Sequence, residues 1–203
     1  MWVPIALSRD VPVGATRAVT LDGREIAIWR GESGTAQVWE DRCPHRGMRL
    51  SFGFVRGDAL NCLYHGWEYG AGASCRRIPA HPDLVMPATI KANAYVSAEA
   101  GGMIWTRDSG DEPLPALPDA TPLVSLAIDA RPETLLMVSA ASPQGGAQIF
   151  ADEIDGTTFH LGWHQVSDSK TMLHCTTRGV ADPAAALRAV RALRERAERR
   201  AAA

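Results

Sequence analysis

Two short stretches decide the reading of this chain: CPHRGM at residues 43–48 and CLYHG at residues 62–66. Pro, Arg and Gly around Cys43 and His45 make a poor core element, so the first stretch reads as a tight loop carrying two metal-capable side chains. The second repeats the offer with Cys62 and His65, after sixteen intervening residues. Two loops that each supply one thiolate and one imidazole can close on a small metal centre. Two Cys and two His satisfy tetrahedral zinc, which makes a structural or sensory zinc protein one reading. Zinc fingers, however, group a Cys pair and then a His pair, whereas here the two types alternate. Alternation suits a two-iron cluster in which Cys43 and Cys62 bind one iron while His45 and His65 bind the other.

The rest of the composition narrows the setting. With 21 basic against 23 acidic side chains, nothing points to nucleic acid or an anionic membrane as a partner. Four cysteines without regular spacing do not make a disulfide framework, so a reducing, cytoplasmic location is expected. The opening MWVPIALSRDVPVG meets Pro4 and charge within ten residues, which is neither a signal peptide nor a membrane anchor.

From residue 1 to 107 short apolar or alternating runs such as REIAIWR, TAQVWED, ALNCLYH and GGMIWTR are separated by LDG, GESG, RGD and GAGAS, a β-sandwich or small-barrel pattern. Residues 108–122, with Pro113, Pro115, Pro118 and Pro122 among acids, read as an extended linker. Residues 123–203 again look strand-like at LVSLAI, TLLMVSA, GAQIFADEI, TTFHLGWHQV and TMLHCTTRGV, with turns at SPQGG, IDGT and SDSK. A helix closes the chain. Asp182 is its expected N-cap and Pro183 its first residue, and Leu187, Val190, Leu193 and Ala197 form its apolar stripe.

The pattern C-x-H, a spacer, then C-x-x-H resembles the Rieske 2Fe-2S family. CPHRGMRLSFG, LNCLYHGWEY and CRRIPAHPD are similar to stretches in the N-terminal domain of Rieske non-haem iron oxygenases of the ring-hydroxylating type. The resemblance implies a 2Fe-2S cluster on Cys43, His45, Cys62 and His65. Relatives in cytochrome bc complexes carry an extra cysteine in each loop and a serine hydroxyl bonded to the cluster. Met48, Tyr64 and Trp67 stand at the matching positions here, which implies a potential near the low end of the Rieske range, about −150 mV. Gly47 and Gly66 read either as donors of free N–H groups to the cluster sulfurs or as turn glycines. Trp67 and Tyr64 read either as a shield over the cluster or as aromatic core filling, His81 as a loop residue, and Cys75 and Cys175 as ordinary thiols.

The full oxygenases add a helix-grip domain with a mononuclear iron, and residues 123–203 resemble a reduced version of it. The matching metal motif is absent; the sequence offers only Asp152, Asp155, His160 and His164. Histidines four apart share one ion on a helix but stand about 13 Å apart on a strand. The residues around them favour strand. The expected function is therefore one-electron transfer, as a ferredoxin-like component or a non-catalytic subunit beside an oxygenase catalytic subunit. A minimal oxygenase with iron near His160 and His164 is the alternative. No G-x-G-x-x-G follows a strand, so a separate NAD(P)H-dependent reductase or ferredoxin must supply electrons. The arginine run Arg188, Arg191, Arg194, Arg196, Arg199 and Arg200 reads as a solvated helix face, or as a dock for an acidic redox partner.

Overall fold

The computed structural model describes residues 1–108, 110–139, 147–154, 157–179 and 182–203, the side chain of Ile154 excepted. The chain is mostly β, with antiparallel sheets and a C-terminal helix. The first strands are β1 (Val3–Leu7), β2 (Thr16–Leu21), β3 (Arg24–Arg30), β4 (Ala36–Glu40) and β5 (Phe54–Arg56). They are followed by β6 (Ala59–Asn61), β7 (Glu68–Gly70), β8 (Cys75–Arg77), β9 (Ala94–Ala100) and β10 (Met103–Arg107). Then come β11 (Thr121–Ile128), α1 (Pro132–Val138), β12 (Ile149–Ile154), β13 (Thr157–Ser167), β14 (Lys170–Arg178) and α2 (Pro183–Ala201). The sequence runs REIAIWR, TAQVWED and GGMIWTR fall on β3, β4 and β10. Asp22 and Gly23, both at positive φ (49° and 74°), make the two-residue turn that joins β2 to β3.

The chain divides into two compact units. One comprises Asp10–Thr20 and Arg24–Ser97. In it β2, β3, β4 and the start of β9 run side by side, and β5, β6, β7 and β8 form a small meander. Its core is aromatic. Trp29, Trp39 and Tyr69 are fully buried and meet edge to face, at ring-centroid distances of 5.0 Å and 6.5 Å. Cys43, Cys62, Leu50 and Leu60 share this core.

The other unit comprises Met1–Arg9, Leu21–Gly23 and Ala98–Ala203. Its sheet has the order β11-β14-β13-β12, and one face is covered by α2. Alternation along β13 and β14 turns Phe159, Leu161, Trp163, Leu173 and Cys175 into the core with Val190, Leu193 and Ala197 of α2. The helix begins as its sequence predicts. Asp182 accepts from the Ala184 N–H at 2.9 Å, and Pro183 is its first residue. Ala186 is buried, while Leu187 is half-buried. One strand-like run is corrected: TLLMVSA supplies α1, not a strand. Pro132 in its first turn and Glu133 behind it are helix-start residues, and Leu and Met carry the helix onward. The turns expected at SPQGG and IDGT lie wholly or partly outside the described residues. Among the described residues no helix is long and apolar enough to cross a membrane.

On the other face of this sheet, Gly162 of β13 is the point of closest approach. A Cβ there would lie 2.7 Å from Pro4 Cγ and 2.8 Å from Met103 Sδ. Both neighbours are buried on strands, so neither has open solvent to move into. Gly162→Ala should therefore cost about 1–3 kcal/mol of stability, read as a lower midpoint in denaturant unfolding of the purified protein. A midpoint equal to the parent's would show that the two strands yield freely.

Candidate metal centre

The two loops flagged by sequence are built alike. In the first, which follows β4, the Cys43 N–H donates to the Met48 carbonyl (2.8 Å) and the Gly47 N–H donates back to the Cys43 carbonyl (2.8 Å). In the second, between β6 and β7, the Cys62 N–H donates to the Trp67 carbonyl and the Gly66 N–H to the Cys62 carbonyl, both at 2.9 Å. Each is a six-residue loop closed by the same pair of backbone bonds. Its fifth residue must turn left-handed, and Gly47 (φ 73°) and Gly66 (φ 67°) do so without a Cβ penalty. At Gly66 a Cβ would also meet Pro79 Cγ at 3.1 Å. The two glycines are thus turn glycines, with their N–H groups spent on the cysteine carbonyls.

This closure sorts the side chains. Cys43 and Cys62 point inward and are each 2% exposed. His65 is exposed and His45 partly so. Their rings lie side by side with centroids 4.8 Å apart. Each imidazole is backed by an aromatic ring, His45 by Trp67 (4.1 Å, nearly parallel) and His65 by Tyr64 (3.8 Å). Burial pushes the Cys62 thiol up, as does the neighbouring Cys43 thiol, while the backbone N–H groups of Tyr64 and His65 pull it down. Those N–H groups are the donors ready for a thiolate at Cys62. Burial, then His65 and Arg46 beside it, lower the pKa of His45, which favours the neutral ring that a metal requires.

The donor set fits a two-metal cluster. Two adjacent soft thiols lie inside and two adjacent imidazoles outside, so each pair can serve one iron. Among the described residues no three or more His, Cys, Asp or Glu side chains converge on a single ion.

Tyr69 is a residue that sequence reasoning missed. On β7 it alternates inward, and its hydroxyl lies 3.2 Å from Cys43 Sγ. Burial, followed by the Cys43 sulfur, holds the phenol well above its ordinary range, so it keeps its proton and can donate to a thiolate. This hydroxyl lies outside the two loops, so the low potential expected from Met48, Tyr64 and Trp67 leaves it out of account. The only sequence signal was the place of Tyr69 in the short strand that follows the second loop. Cys75, also buried, lies 3.8 Å from Met86 Sδ, and burial raises its thiol. Cys175 is pushed up to about 12 by burial alone. His81 sits exposed in the loop after β8.

The histidines considered for a second iron lie on β13, four residues apart along a strand, as expected. His164 is committed within the fold. Its Nδ1 lies 3.1 Å from the Pro4 carbonyl oxygen and 3.1 Å from His174 Nε2, and His174 Nδ1 meets Ser125 Oγ at 2.8 Å. A carbonyl only accepts, so His164 carries its proton on Nδ1. His160 stands across from Ala151 and Thr176, and Asp152 across from Phe159. Asp155 lies outside the described residues.

Residues 1–92 match the family model of the Rieske [2Fe-2S] domain. This segment is a Rieske domain, and the cofactor it implies is a 2Fe-2S cluster. Over 139 residues the chain is 42% identical to oxidoreductase NdmD of Pseudomonas putida, covering 64% of this chain and 24% of NdmD. It is 33% identical over 125 residues to the 5,5'-dehydrodivanillate O-demethylase oxygenase subunit of Sphingobium sp., covering 60% of this chain and 29% of that protein. The chain thus spans less than a third of either relative's length. The solved structure of NdmA from Pseudomonas putida CBB5 shares the fold with a TM-score of 0.74 at 17% identity, over 95% of this chain and 77% of that one.

With Cys43 as a cluster ligand, Tyr69→Phe removes a donor that favours the more negative, reduced state. The variant should assemble its cluster and show a potential lower by some tens of millivolts, since a tenfold change in a one-electron equilibrium is about 59 mV. Voltammetry of the two proteins checks this, and an unchanged potential would remove Tyr69 as a tuning residue.

Proposed function

We propose that this chain transfers single electrons within a Rieske-type oxygenase system, as a ferredoxin-like component or as a non-catalytic subunit beside an iron-bearing one. In this reading Cys43 and Cys62 hold one iron of the cluster, and His45 and His65 hold the other. The observation that carries it is the pair of like-built loops that bury two thiols and set two imidazoles side by side at the surface. Relatives that include an oxidoreductase and an oxygenase subunit support the system to which it belongs.

When bound, the cluster supplies reversible one-electron storage. The protein's part is positional. The aromatic core around Cys43 and Cys62 keeps water from the sulfurs, and Tyr69 and the backbone N–H groups of Tyr64 and His65 offer hydrogen bonds to them. His45 and His65 present their rings where a partner can approach, and Trp67 and Tyr64 hold those rings in place by stacking. Reducing equivalents come from a separate NAD(P)H-dependent reductase or ferredoxin. A cytoplasmic location agrees with four cysteines of which none is in a disulfide.

Iron and sulfide analysis together with a visible and EPR spectrum tests the reading. About two irons per chain and a Rieske spectrum are expected. Cys43→Ala should lose both, and recovery of a full Rieske spectrum from that variant would remove Cys43 as a ligand. His160→Ala combined with His164→Ala should leave iron content and spectrum unchanged. If the double variant instead loses a third, mononuclear iron, the chain is an oxygenase and not a carrier.

A further inference from the structure

Beside the first cluster loop two adjoining clefts of about 540 Å³ and 280 Å³ share Glu40, Arg42, Arg46 and Gly47. The larger adds Arg24, Glu25, Asp41 and Tyr95, and the smaller adds Lys91 together with Cys43 and His45 themselves. Of the acids here, Asp41 is withdrawn from solvent, Glu40 is half-buried and Glu25 stays exposed. Asp41 is 3% exposed and accepts from the Ser51 N–H (2.7 Å) and hydroxyl (2.6 Å). Glu25 is paired with Arg49, and Glu40 is within 3.5 Å of the Asn93 amide. The cations are turned outward. Arg24, Arg42, Arg46 and Lys91 are exposed, and Arg24 lies over the Tyr95 ring. Among the described residues neither Arg42 nor Arg46 has an ion-pair partner.

The local balance opposes that of the whole chain. The chain carries a net charge of −2, yet the clefts are lined by four cationic side chains against three carboxylates. Arg42 and Arg46 bracket Cys43 and His45 in sequence and line the same walls. Two guanidinium groups beside an electron-accessible imidazole form a fork for carboxylates, and their field extends about one Debye length into solvent.

We propose that these clefts are the docking surface of an acidic redox protein, one of whose carboxylates enters between Arg42 and Arg46 and so brings its own cofactor toward His45. The inference rests on the electron-carrier reading and adds the side of approach and the charge of the partner. It also assigns docking to this surface and not to the arginines of α2. On α2, Arg188, Arg194 and Arg199 are already engaged with Asp182, Glu198 and Glu195.

Small redox complexes of opposite charge test it on the cluster-loaded protein. The reduced protein is mixed with ferricyanide, an anion, or with tris(phenanthroline)cobalt(III), a cation, and return of the oxidised visible spectrum is followed in time. Oxidation by ferricyanide should slow about tenfold from low to high ionic strength. Arg42→Glu with Arg46→Glu should slow it about as much at low salt, and Arg42→Gln with Arg46→Gln by a smaller factor. The cobalt complex should react no more slowly with either variant than with the parent. Arg196→Glu with Arg200→Glu on α2 should change neither rate. Ferricyanide rates that ignore salt and both cleft variants, or that fall only with the α2 variant, overturn the assignment. A reduced cluster that neither complex reoxidises contradicts the electron-carrier reading itself, and the docking inference falls with it.

Discussion

Four backbone hydrogen bonds shape the two loops that carry the cysteines and histidines. In each loop the cysteine N–H reaches the carbonyl five residues on, and the glycine N–H one residue earlier reaches back to the cysteine carbonyl. This closure makes one end of a six-residue loop face inward and the other outward. Cysteine is the first residue in both loops, so both sulfurs enter the core. Histidine is the third residue in one and the fourth in the other, so the two rings come out on the same side with centroids 4.8 Å apart. The aromatic core of Trp29, Trp39 and Tyr69 gives the sulfurs a dry environment, and one member, Tyr69, also reaches Cys43. Burial and hydrogen bonding therefore act on the same atoms. Burial alone disfavours a thiolate, while the hydroxyl and backbone donors favour it.

Much of this was legible from local residue order. The alternation of Cys and His in two loops separated the two-iron reading from zinc, LDG at 21–23 marked a break between two short runs, and Asp182-Pro183 marked the start of α2. These signals are short-range, because a turn or a cap is decided by the residues that form it. The features that escaped the sequence depend on contacts across strands. Tyr69 bonds a residue 26 positions away, and nothing along the chain measures that distance. His174 meets His164 diagonally across β13 and β14, a pairing that exists only once the strand register is set. The TLLMV run lies at the border between strand and helix, and Pro132 with Glu133 in front of it outweighs the apolar run.

The unit containing α2 places its histidines in a different role. His164 and His174 are 1% and 2% exposed and form a chain from Ser125 to the Pro4 carbonyl, tying β11, β14 and β13 to β1. In this buried polar chain His164 Nδ1 and both ring nitrogens of His174 find partners inside the fold. The imidazoles of the first loops differ in each respect, being surface-placed, adjacent and stacked on aromatic faces. Environment, more than residue type, separates the proposed ligands from the structural histidines.

Pulsed EPR of the reduced protein, grown with nitrogen-15 histidine, reads the central claim at the atoms concerned. The account predicts two histidine nitrogens coupled to the cluster spin, with one coupling lost or replaced in His65→Cys. A cluster spectrum with no histidine coupling, or couplings unchanged by alteration of His65, would contradict it.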